Sequence, residues 1–61
     1  MVMTPDLRAM VLAIAHLKPG TIAEWLVSAA EAALGEGLAP DDVTAEVADR
    51  LVNAAREKAR P

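Results

Sequence analysis

Thr21–Leu34, TIAEWLVSAAEAAL, decides the fold of this chain. Thr21 followed three residues later by Glu24 has the spacing of a capping box: the hydroxyl accepts from the Glu24 amide while the carboxylate reaches back to the Thr21 amide. At 100° per residue, Ile22, Trp25, Leu26, Ala29 and Ala33 form one apolar stripe, and Ala23, Val27, Ala30 and Leu34 form a second beside it. Only Glu24, Ser28 and Glu31 are left for water, on one narrow ridge. A helix with so little polar surface has to be covered from at least two sides.

The flanking sequence supplies the covers. Thr4-Pro5-Asp6 is a helix start, with threonine as N-cap, proline at the first position and an acid at the positive end of the dipole. Leu7, Met10, Val11, Ile14 and Leu17 then share one face, with Leu12 off it, near Ala9 and His16. Lys18 is expected to close this helix, because Pro19 disfavours helical backbone in the residue before it. Met1–Met3 is expected to be a loose end.

Beyond the central helix, Gly35 has the position of a left-handed cap residue, and Leu38 is expected to fold back as a hydrophobic plug. Ala39-Pro40-Asp41-Asp42 repeats the first start signal, so a third helix is expected from Pro40 to about Lys58, with Glu46 and Arg50 as an i, i+4 pair. That helix carries two stripes. Val43, Val47, Leu51 and Ala54 form one. Ala45, Ala48, Val52, Ala55 and Ala59 form the other, at heptad a/d spacing suited to close pairing of two helices.

Composition agrees with an all-α reading. Of 61 residues 14 are alanine, and one tryptophan is the only aromatic, against the β-branched and aromatic enrichment of strands. A chain this short forms a single domain, spanning 1–61, with a thin core and little margin for folding alone. No cysteine is present, so disulfides and thiolate metal sites are excluded, and one histidine cannot build a His-based metal cluster. The alanine content, with arginine exceeding lysine, points to a GC-rich bacterial or phage origin. The missing cysteines fit a cytoplasmic protein.

The net charge of −3 is uneven. Residues 1–48 hold seven acids against two bases, and residues 49–61 hold two acids against four bases. An acidic body with a short basic tail offers no broad cationic surface to phosphate. The longest stretch without a charged side chain, Ala9–Leu17, is far below the roughly 20 apolar residues of a membrane span. Asp6 and the absence of a basic leader argue against reading the N-terminus as a signal peptide.

The candidates for chemistry are sparse. His16 lacks a convergent carboxylate and nucleophile; Ser28, Thr4, Thr21 and Thr44 are the only hydroxyls, and Thr4 and Thr21 have the positions of caps. Glu24 and Glu31 lie on a convex ridge, whereas paired catalytic carboxylates need a concave site. Asp41 and Asp42 read as helix-start residues. Hydrolase and metal-enzyme readings are therefore set aside, and no cofactor or small-molecule substrate is expected. A helix-turn-helix would join helices two and three through Gly35–Ala39, a little longer than the usual three or four residues, and its recognition helix would open on Asp41, Asp42 and Glu46, which repel phosphate.

The expectation is an all-α domain of three helices, with the central helix packed on two sides and a homodimer formed through helices two and three. Its function is a non-catalytic protein-binding or regulatory module: an adaptor, an inhibitor or an assembly subunit. Leu12, Trp25, Val27, Leu34, Val52 and Ala55 are the expected contacts, with Glu24, Glu31, Arg50 and Arg56 as a polar rim. The alternative is a small dimeric DNA-binding regulator using Arg50, Asn53, Arg56, Lys58 and Arg60.

Overall fold

In the computed structural model, which describes residues 3–60, the chain forms α1 (Pro5–Leu17), α2 (Ala23–Gly35), a single 3-10 turn (Pro40–Asp42) and α3 (Ala45–Lys58). No strand occurs among the described residues. The first two residues of the expected loose N-terminus lie outside the described residues; Met3 is exposed coil.

α1 begins as its sequence dictates. The Thr4 hydroxyl accepts from the Leu7 amide at 3.2 Å, and Pro5 opens the first turn. Met10 and Ile14 are fully buried, flanked by half-buried Leu7, Val11 and Leu17. The helix ends at Leu17, with the Lys18 amide closing on the Ile14 carbonyl.

α2 does not start with a capping box. Its N-cap is Ile22, with no side-chain cap, and the Thr21 hydroxyl instead donates to the Lys18 carbonyl at 2.8 Å. The cause is the preceding turn. Pro19 and Gly20, the latter at φ +87°, occupy the central positions of a type II-like reversal that brings the Thr21 amide within 3.4 Å of the same carbonyl. Thr21 thus belongs to the turn, and the Ile22 carbonyl receives the amides of Trp25 and Leu26.

At its other end α2 runs further than expected. Gly35 is still helical, and the left-handed residue is Gly37 at φ +80°. The Leu38 amide reaches the Ala33 carbonyl at 3.1 Å and the Gly37 amide the Leu34 carbonyl at 3.0 Å, the paired bonds of a Schellman motif. Leu38 packs back on the core, as its position after the cap predicts.

The third helix starts five residues later than the Pro40 signal implies. Ala39 has no side chain with which to cap, so Pro40–Asp42 makes only one turn, closed by the Asp42 amide on the Ala39 carbonyl at 2.9 Å. The chain then extends, which drops Val43 into the core, and Thr44 restarts the helix by accepting from the Val47 amide at 3.2 Å. Glu46 and Arg50 do not pair; Arg50 turns to Glu36 instead.

α2 is the central element, packed against both α1 and α3, which scarcely meet each other. Ala29, Ala30 and Ala33 are fully buried at these contacts, where small side chains let the backbones approach. The radius of gyration is 10.3 Å, close to the roughly 10.5 Å expected of a compact domain this long. On α3, the two stripes resolve into one inward face of Ala48, Leu51, Val52 and Ala55, while Ala45, Ala54 and Ala59 are exposed. The stripes are adjacent edges of a single core-facing sector, and a helix of 14 residues on a thin core turns that sector inward.

Candidate protein-binding surface

The structure separates the expected contact residues into three groups. Leu12 is the most exposed large apolar side chain of the described residues, at 61%. Coming two residues after Met10 and two before Ile14, it lies on the side of α1 opposite the core. Trp25, Val27 and Leu34 are half-buried along the margins of α2. Val52 and Ala55, each 6% exposed, are core residues of the chain itself. They leave the candidate surface, and with them goes the α3 heptad seam through which a homodimer was expected.

The rim residues divide as well. Glu24 and Glu31 are exposed on the outer ridge of α2 and engage in no ion pair or side-chain hydrogen bond among the described residues. Arg50 forms a two-pronged contact with Glu36, at 2.9 and 3.3 Å. Hydrogen bonding by Arg50, reinforced by its charge, holds the Glu36 carboxyl below its ordinary range, and Glu36 in turn lifts Arg50. The Arg56 guanidinium lies 5.9 Å from the centroid of the Trp25 ring, within cation–π range.

Sequence reasoning, which paired Arg50 with Glu46 rather than Glu36, missed two features besides. Lys18 donates to Asp49 at 2.6 Å, tying the α1–α2 corner to α3 and lowering the Asp49 carboxyl through that hydrogen bond and the lysine charge. Partners 31 positions apart leave no local signal. Ile22 is 48% exposed, although the helical stripe placed it with buried residues. It precedes the first helical residue of α2, and the Pro19-Gly20 turn was the available clue.

For the nucleic-acid alternative, Arg50 is bound to Glu36, Arg56 lies over Trp25, Asn53 donates to Asp49 at 3.3 Å and Arg60 stands 3.8 Å from Glu57. Of those five side chains, Lys58 alone lacks an intramolecular partner among the described residues. No cleft is found among the described residues, and no group of three or more His, Asp or Glu side chains is gathered there. His16 is exposed on the same side of α1 as Leu12. The candidate surface is therefore a helix face: Arg8, Ala9, Leu12 and His16 on α1, and separately the α2 ridge with Val27 and Leu34 at its edge. Compared with protein-family models, curated protein sequences and solved structures, the chain gives no match.

Proposed function

We propose that this chain is a non-catalytic protein-binding module, of the kind that serves as an adaptor, an inhibitor or an assembly subunit, and that the outer face of α1 and the half-covered margins of α2 make the contact. The observation that carries the reading is Leu12. A leucine gains roughly 1.5–3 kcal/mol when it leaves water, yet this one stands 61% exposed, opposite the residues that anchor α1. It contributes little to the fold, so its apolar surface is free for a partner. Trp25 supports the same reading as a half-buried aromatic with an arginine over its ring, both of residue types enriched in binding hot spots.

The test is capture of host proteins by the tagged wild type and by Leu12→Glu. Circular dichroism of the variant should be that of the wild type, because the site is solvated. Proteins held by the wild type should be lost with Leu12→Glu. An identical set on both baits, or none on either from a chain that also stays monomeric, would overturn the proposal.

A further inference from the structure

Most charged side chains around α3 are spoken for: Lys18 with Asp49, Arg50 with Glu36, Arg56 on Trp25 and Arg60 near Glu57. The outer faces of α1 and α2 differ. Arg8, His16, Glu24 and Glu31 are all exposed, and none has an ion-pair or hydrogen-bond partner among the described residues. Their arrangement is complementary. On α1, Arg8, Leu12 and His16 follow at i, i+4 and i+8, a base and an imidazole about 12 Å apart along the axis with a leucine between them. On α2, Glu24, Val27 and Glu31 follow at i, i+3 and i+7, two acids about 10.5 Å apart with a half-exposed valine between them. Ala9 beside Leu12 keeps the approach low.

We infer that the α1 row of one molecule docks on the α2 ridge of a second copy of the same chain, Leu12 against Val27, with Arg8 and His16 facing the two glutamates. This rests on the protein-binding reading and names the partner. The two faces are different surfaces, so the contact is heterologous, and assembly proceeds head to tail rather than stopping at a symmetric pair. Exposed charge pairs are individually weak, so association is modest and weakened by salt.

Charge reversal tests this by sedimentation equilibrium. Wild type should show mass rising with concentration beyond that of a dimer. Arg8→Glu with His16→Glu makes both faces acidic, and Glu24→Lys with Glu31→Lys makes both basic. Each variant alone should associate on the order of tenfold more weakly. Mixed together they should recover association, because each acidic row then meets a basic ridge. A control with Glu46→Lys and Glu57→Lys on α3 carries the same net charge as the basic variant but keeps the wild-type row and ridge, so alone it should associate as the wild type does, where the basic variant alone does not. All positions are solvated, and circular dichroism verifies that each variant folds. A wild type that stays monomeric to about 1 mM, or association indifferent to these reversals, overturns the inference. Leu12-dependent capture of a host protein by such a monomer would still leave the protein-binding reading in place; loss of both would end both.

Discussion

Val52 separates the two roles open to α3, and its truncation has a magnitude that can be worked out. At 6% exposure, beside Ala48, Leu51 and Ala55, it is part of the core of one chain. Val52→Ala removes two buried carbons, about 0.8 kcal/mol each for transfer, and incomplete collapse of the space brings the loss to about 2 kcal/mol. A domain of this length has on the order of 3–9 kcal/mol in total. It melts with a small unfolding entropy, so this loss should lower Tm by roughly 10–15 °C. Val52→Glu is the sharper form. It places a carboxylate in a core where no polar side chain of the described residues is buried, a penalty of several kcal/mol that consumes most of the available stability. The expected outcome at neutral pH is loss of the helical circular dichroism signal and of cooperative melting. A Val52→Glu chain that melts like wild type but associates less would refute the reasoning and restore α3 as an intermolecular seam.

Other consequences follow from the local contacts. Thr44→Ala should cost about 1 kcal/mol by removing the α3 cap, whereas Thr21→Ala, which loses only a turn hydrogen bond, should cost less; urea unfolding of the two variants gives the order. Removing the guanidinium with Arg56→Ser should alter Trp25 fluorescence in the folded state and lower stability by about 0.5–1 kcal/mol. Glu36 and Asp49 are both held below the ordinary carboxylate range when folded, by Arg50 and Lys18 respectively. Their contribution is complete above the unfolded values near pH 4 and is lost as pH falls through the lower folded values. Combining Glu36→Gln with Asp49→Asn should therefore flatten the acid limb of a stability–pH profile, and an unchanged limb would show the pairs to be energetically idle. Arg50 is lifted, so what it contributes is lost only as pH rises through an already very basic range, outside that profile.

The element count and the central place of α2 were legible because both follow from periodicity. A helix apolar on two stripes needs two covers, and α1 and α3 supply them on Ala29, Ala30 and Ala33. The Thr4 cap was legible because its hydroxyl makes the bond its spacing predicts, to the Leu7 amide, and no turn among the described residues claims it. Thr21 has the same residue type at an equally good spacing, but its hydroxyl was claimed by a turn three residues upstream. Caps are read locally, and a local reading cannot see which of two nearby acceptors or donors the backbone will present. Leu12 was legible as a surface residue because it falls off a face that Leu7, Met10, Val11, Ile14 and Leu17 already complete. The ion pairs Lys18–Asp49 and Glu36–Arg50 were not, since each depends on how helices cross.

The late start of α3 has the largest consequence for function, because it decides what that helix can do. Pro5 and Pro40 carry the same N-terminal signal, proline followed by an acid, but Thr4 precedes one and Ala39 the other. Proline makes a helix start permissible; the preceding side chain satisfies the free amides that make it stable. Without that cap the segment at Pro40 turns once and yields, and the buried Val43 fixes where the chain re-enters the core. Thr44 then sets the phase of α3 so that Leu51 and Val52 both point inward. A helix continuous from Pro40 would give no reason to separate Val43 from the Val47–Leu51 stripe, or to treat the alanine stripe as core. The missing hydroxyl at position 39 thus bears on whether the alanine seam serves the fold or a partner. Ala39→Ser tests this: it should promote helix through Asp41–Thr44 and draw Val43 out of the core, lowering Tm even though a better cap was introduced. A rise in Tm with unchanged Val43 burial, read by NMR, would show that Thr44 alone sets the phase.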